Sequence, residues 1–230
     1  MKLTIIGATG GIGRLLVQQA VAAGHDVTAV VRNPGKLPPD LPITVVTTDL
    51  AAPDQAALEV AIRGADGVLS GLGPVSTAQA GVAAGGTRAV VAAMRATGVR
   101  RIVVVSAAPI GTVPSPGRPN PPKHDPGDGF FMRHLFSRIA TTAFRTHYAD
   151  LAAMEDVLRA SGLDWTICRP PKLTDGPLTG TYRTAIGRNI KGGWSISRAD
   201  VAHQMLHAVE QPETIGKTVG MAGKPERKRP

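Results

Sequence analysis

Aromatic side chains are scarce in this chain of 230 residues, and none occurs before Phe130; all eight lie between Phe130 and Trp194. A nucleotide held by the first half would depend on backbone, glycine turns and charge, while a flat ligand would find stacking partners only in the second half. Filling the core is the competing use of those rings. Cysteine is scarcer still. The single Cys168 excludes an internal disulfide, fits a reducing compartment, and sits in an apolar strand-like run where a buried, inert thiol is expected. No apolar run approaches the roughly 20 residues of a membrane helix. The opening "MKLTIIGATG" runs straight into a strand and a glycine turn, without the three-part layout of a secretory signal. A soluble, cytoplasmic protein with no membrane partner is expected, as a monomer or homodimer.

The net charge is +9, of which the ending "GKPERKRP", residues 223–230, supplies +3. That stretch is expected to be a disordered basic tail beyond a folded domain of residues 1–222. No basic run is interleaved with aromatics, so no platform for stacked bases is visible and no nucleic-acid partner is expected. The remaining positive charge suits anionic small molecules.

Up to about residue 108, β-branched runs alternate with alanine-rich stretches. "KLTII", "DVTAVV", "ITVV", "GVLS" and "RIVVV" read as five strands, and residues 11–23, 54–62 and 78–97 as helices between them. This alternation predicts an α/β fold of the Rossmann type, a doubly wound parallel sheet in a single domain. Residues 108–129 break the pattern with seven of the nineteen prolines, which excludes regular helix or a central strand and leaves a lid or a mobile loop. Beyond it, residues 130–161 read as helical with a possible break, "LDWTICR" as a sixth strand, "SRADVAHQMLHAVEQ" as a late helix and "KTVGMA" as a final strand. The substrate side is expected mainly within residues 108–195.

The sequence feature with the most chemistry is "GATGGIG", in which Gly7, Gly10 and Gly13 follow a strand and open a helix. The first glycine permits the turn, the second lets backbone approach a pyrophosphate, and the third lets helix and strand pack closely. Amide groups and the helix dipole then face the phosphates. Some 20 residues on, an NAD site would carry an acid for the ribose hydroxyls. "VVRNPGK" instead offers Arg32, with Lys36 close behind and Arg14 just past the turn. A carboxylate repels a 2′-phosphate, whereas a guanidinium binds it through two charge-assisted hydrogen bonds. NADP(H) is therefore the expected cofactor; a solvated arginine at a strand end is the plain alternative.

Two further groupings carry possible chemistry. His147, Tyr148 and Asp150 lie at helical spacing and form either an acid–base group or a surface hydrogen-bond cluster. "HQMLH" places His203 and His207 one turn apart, but Gln204 stands where a zinc protease needs its general-base glutamate, and no third ligand is evident, so no metal is expected.

Taken together, "GATGGIG", "VVRNPGKLP", "TTDL", "GLGP", "RIVVVSA", "VLRASGLDWTICRPPKL" and "DGPLTGTYR" resemble the atypical short-chain dehydrogenase/reductases in their NAD(P)H-binding, NmrA-like branch, and within it most the biliverdin-IXβ/flavin reductases. The resemblance covers the chain to about residue 222. It implies that Thr9, Gly10, Gly11 and Ile12 cradle the pyrophosphate and that Arg32 and Lys36 read the 2′-phosphate. It further implies that Asp49 and Leu50 lie beside the adenine, that Gly71 and Gly73 run along the cofactor, and that Ser106, Pro170 and Pro171 border the nicotinamide. Two departures stand out. The Tyr-x-x-x-Lys pair is absent, because Tyr148 is followed at the fourth position by Ala152, and the flavin-reductase histidines are replaced by Leu151 and Lys172.

Candidate catalytic groups are thus Ser106, which could polarise the acceptor or merely cap its strand, Lys172, which could face a developing anion or merely solvent, and Tyr148. The resemblance implies an NADPH-dependent reductase acting on a flavin, quinone or related conjugated molecule. A non-catalytic NADP(H)-sensing regulator with a protein partner is the second reading. A nucleotide-sugar epimerase or dehydratase is the third, and the absent tyrosine–lysine pair argues against it.

Overall fold

The computed structural model describes residues 1–73, 81–128 and 145–224. The helical stretch expected over residues 130–161 as far as residue 144, the first residues of the helix expected from 78, and the tail from 225 lie outside the described residues. In chain order the elements are β1 (Lys2–Ile6), α1 (Gly11–Ala22), β2 (Asp26–Val31), β3 (Thr44–Thr47), α2 (Gln55–Ile62), β4 (Gly67–Ser70), α3 (Val82–Thr97) and β5 (Arg101–Val105). They continue with α4 (Arg145–Arg159), β6 (Asp164–Arg169), β7 (Lys172–Thr174), β8 (Tyr182–Ile186), β9 (Ser195–Ser197), α5 (Arg198–Val209) and β10 (Lys217–Gly223).

Strands β1, β4 and β5 are buried on both faces with little alternation of polarity, as parallel strands between two helix layers must be. The sheet order is β3-β2-β1-β4-β5-β6-β10-β8, with every pair parallel except the antiparallel β10–β8 edge. This is the Rossmann-type α/β arrangement. One helix layer pairs α1 with α5 and buries Leu16, Val17, Val201 and Met205; the other packs α3 against α2 and α4 and buries Met94, Met154 and Leu158.

The order reverses between β1 and β4, so the crevice beyond their carboxyl ends is the switch point where α/β sheets bind ligands. Register sets its walls. Ile6 aligns with Val30 and with Ser70, which brings the segments after β1, β2 and β4 out together. Gly7 turns there at φ +70°, and a Cβ on Gly13 would stand 2.1 Å from Gly7 O. Gly13→Ala is therefore expected to destabilise the fold by about 2–3 kcal/mol, read as a lowered urea midpoint with an unchanged slope.

Three short strands were absent from the sequence expectation. β7 and β9 form a separate parallel pair, Lys172 opposite Ser195, and β8 closes the sheet edge. The proline-rich stretch begins with a 3₁₀ turn over Ala108–Thr112 and is tied down as far as residue 128. Gly117 N donates to Asp156 at 2.8 Å, the backbone N–H of Asn189 donates to the buried Asp125 at 2.7 Å, and Asn189 Nδ2 reaches Asp128 at 3.0 Å.

Candidate functional site

At the switch point lies a groove open to solvent, where sheets of this kind bind their ligands. Gly7, Thr9 and Gly10 form its floor, Arg32 its rim after β2, Asp49 and Leu50 the side after β3, and Gly71 and Gly73 the side after β4. α1 opens at Gly10 with no side-chain cap and no acid in its first turn, so its amide donors and positive dipole end face the groove unneutralised. Gly11 and Ile12 are the first two residues of that helix.

Arg32 and Lys36 are exposed, and among the described residues neither has a carboxylate within ion-pair distance. Lys36 ends the 3₁₀ turn Pro34–Lys36, which the Asn33 side chain caps by accepting from Gly35 N. Arg14 is exposed on α1. Asp49 accepts from Ala51 N at 3.0 Å, and Leu50 is buried in the core layer of α2 and α3. A dinucleotide fits these residues: uncapped amides stand where its diphosphate would lie, and β2 is followed by the exposed Arg32 rather than by an acid.

Beyond β5 the structure contains a charged network that the sequence reading did not find. Ser106 is buried at the strand end and donates its hydroxyl to Glu155 Oε1 at 2.7 Å. Glu155 is fully buried on α4 and also accepts from Arg169 Nε at 2.9 Å, from Arg169 Nη2 at 2.5 Å and from Arg159 Nη2 at 2.6 Å. Burial alone would raise its pKa, but the hydrogen bond and charge of Arg169, the charge of Arg159 and the Ser106 hydroxyl together hold it below the ordinary value. The Ser106 hydroxyl hydrogen is thus committed to a carboxylate, and the oxygen keeps only acceptor capacity.

Both missed charges left a trace in the sequence. Glu155 falls on the apolar stripe Leu151, Met154, Leu158 of α4, and Arg169 ends an otherwise buried strand. A charge in such a place is a buried ion pair or an error of assignment.

The other candidate residues are dispersed. Pro170 is buried, and its carbonyl accepts from Ala108 N at 2.9 Å; Pro171 is partly exposed. Lys172 is exposed at the start of β7. Tyr148 is half-buried against the α3 layer, where burial pushes its phenol above the ordinary value. His147 beside it is pushed down by burial, with Asp150 opposing. Asp150 is not available to them as a base: its two oxygens accept from Ala83 N at 3.0 Å and Ala84 N at 2.9 Å and so cap α3. Leu151 is a core residue.

His203 and His207 place their Nε2 atoms 3.3 Å apart, with Tyr182 Oη 2.7 Å from His203 Nδ1, a hydrogen-bonded cluster on α5 beside the end of α1. Cys168 is fully buried, which pushes its thiol up to about 12 despite Arg101, so it remains protonated and unreactive. Among the described residues no helix is long and apolar enough to cross a membrane.

Comparison with known proteins agrees with this geometry. The family model for NAD(P)H-binding proteins matches residues 7–212. The chain is 27% identical over 227 residues to the uncharacterized protein YwnB of Bacillus subtilis, covering 93% of this chain and 94% of that one. Among solved structures, a Lactococcus lactis oxidoreductase superposes with a TM-score of 0.78 at 20% identity, covering 97% of this chain and 91% of its own. A candidate NADH-flavin reductase of Streptococcus pneumoniae superposes with a TM-score of 0.74 at 25% identity, covering 97% and 100%.

Proposed function

Because the chain belongs to the NAD(P)H-binding family, we propose that it is an NADPH-dependent reductase that passes hydride to a flavin, quinone or related conjugated molecule. We place it in the NmrA-like branch of the atypical short-chain dehydrogenase/reductases, nearest in kind to the biliverdin-IXβ/flavin reductases. The observation that carries the reading is Arg32, without a carboxylate partner among the described residues, on the rim of a groove whose floor is an uncapped helix terminus. The Streptococcus pneumoniae neighbour's name joins a flavin acceptor to NADH; the flavin supports the acceptor class, and Arg32 is the reason for preferring the phosphorylated dinucleotide.

In this reading Gly7, Thr9, Gly10, Gly11 and Ile12 hold the diphosphate through backbone donors. Arg32 and Lys36 bind the 2′-phosphate, Asp49 and Leu50 flank the adenine, Gly71 and Gly73 line the cofactor's path, and Ser106 and Pro170 border the nicotinamide. The bound dinucleotide supplies the hydride. Ser106 acts as an acceptor and positioning group, since its hydrogen is given to Glu155. Tyr148 keeps its proton at neutral pH, and Ala152 stands where a lysine would lower its pKa. With neither Ser106 nor Tyr148 offering a proton, the product takes its proton from water. Lys172 offers positive charge to the anion formed meanwhile. Catalysis is then mainly orientation, a source of up to roughly 7–11 kcal/mol.

NADPH oxidation followed at 340 nm with FMN, riboflavin, quinones and linear tetrapyrroles is expected to show turnover with at least one acceptor. Tight binding with no turnover on any of them would instead favour the sensor reading, which the engaged Ser106 hydroxyl and the missing tyrosine–lysine pair also suit.

A further inference from the structure

Glycine at position 11 leaves a gap at the first residue of α1, and a side chain from far along the chain lies in it. A Cβ on Gly11 would stand 3.0 Å from both Cδ and Nε of Arg198, the first residue of α5. The start of α5 is firmly held. Ser197 caps it by accepting from Asp200 N at 3.0 Å, Asp200 accepts from Thr179 N and Gly180 N, and Gln19 of α1 donates to Ala199 O at 2.9 Å. The guanidinium is therefore delivered to the α1 terminus by helix packing as much as by its own rotamer.

One edge of that guanidinium is fixed: Nη1 donates to Asp175 at 2.6 Å. Among the described residues nothing accepts from Nε or Nη2, and the side chain is 30% exposed. A cation beside the positive end of a helix dipole is electrostatically unfavourable. Asp175, with 89% of its side chain exposed, offsets little of that in water. The arrangement becomes favourable when an anion lies between the helix terminus and the guanidinium, because both then point donors at it.

We propose that Arg198 is a diphosphate contact, its Nε–Nη2 edge completing the anion site that the amides of α1 begin, while Asp175 fixes the plane of the guanidinium. This rests on the dinucleotide reading of the groove. It gives the two guanidiniums separate tasks. Arg32 reads the phosphate that distinguishes NADPH from NADH, and Arg198 reads the diphosphate that both share.

Ligand fragments separate the two. ADP carries the diphosphate without the 2′-phosphate, and 2′-AMP the reverse. Dissociation constants measured by calorimetry, or by displacement of bound NADPH fluorescence, are expected to rise about tenfold or more for NADPH and ADP in Arg198→Ala, with 2′-AMP unchanged. Arg198→Lys, which keeps the charge but loses the fork, is expected to fall between wild type and alanine. Thermal melts confirm that both variants fold. Arg198→Ala that leaves ADP and NADPH within twofold of wild type, or that weakens 2′-AMP as much as ADP, overturns this inference and leaves the function reading intact. A wild-type protein that binds neither NADPH nor ADP overturns both.

Discussion

Glu155→Ala is expected to destabilise the protein by about 3–5 kcal/mol, the cost of leaving a buried charge without its partner. Arg169 is the reason. Its guanidinium is buried and donates to Glu155 through both Nε and Nη2. Removing the carboxylate leaves that charge buried and unpaired at the end of β6, opens a cavity on α4 and releases the Ser106 hydroxyl. Glu155→Gln keeps the shape and one acceptor and should cost less. Urea unfolding of the three proteins reads the series. A loss for Glu155→Ala below about 1 kcal/mol would mean that the network is a bystander.

The same carboxylate gives the fold a pH dependence whose sign is fixed. Glu155 titrates below its ordinary value of 4.5 in the folded protein, so the unfolded chain takes up the proton first. Its contribution is complete above about pH 4.5 and is lost as the pH falls through the lower folded value. Wild type should therefore lose stability on acidification more steeply than Glu155→Gln, which has no such proton to bind.

The second large effect falls on the groove. Arg32→Ala is expected to weaken NADPH by roughly 100-fold, the worth of two charge-assisted hydrogen bonds to a phosphate, while leaving NADH within about threefold. The asymmetry matters more than the size. A guanidinium that merely tethered the loop after β2 would weaken both dinucleotides, whereas one that reads the 2′-phosphate affects only the molecule that carries it. Arg32→Asp goes further, since a carboxylate repels the 2′-phosphate and accepts from ribose hydroxyls, and should favour NADH. Raising the salt concentration should erode wild-type NADPH affinity faster than NADH affinity, because these contacts lie at the surface.

The first half of the fold was legible for a physical reason. β1, β2 and β5 are largely buried runs rich in β-branched residues, and glycine turns mark the ends of the first strand and helix, so local sequence and final environment agree. α1 was placed to within a residue at its end. The failures lie where the outcome is decided by distant partners. β7 and β9 are three residues long, too short to show a period, and exist because Lys172 meets Ser195. β8 alternates weakly and becomes an edge strand only when β10 arrives beside it.

The site divides the same way. That the glycine turn and Arg32 come together was readable because both lie within one strand-turn-helix-strand unit, and the groove does bring Gly7, Thr9, Gly10, Arg32, Asp49, Leu50, Gly71 and Gly73 together. The partners of Ser106 were not readable. Its hydrogen bond to Glu155 crosses from a strand end to a helix 49 residues later, and Asp150, a plausible base beside Tyr148, proved to be the cap of α3. Arg198 gave no local sign at all, because the gap it fills is defined by the absence of a side chain at Gly11.

Calorimetric titration of the wild-type protein with NADPH and with NADH, at one salt concentration, tests the central claim most directly. NADPH bound at least about tenfold more tightly than NADH is the predicted result. Equal affinity for the two, or binding of neither, would contradict it.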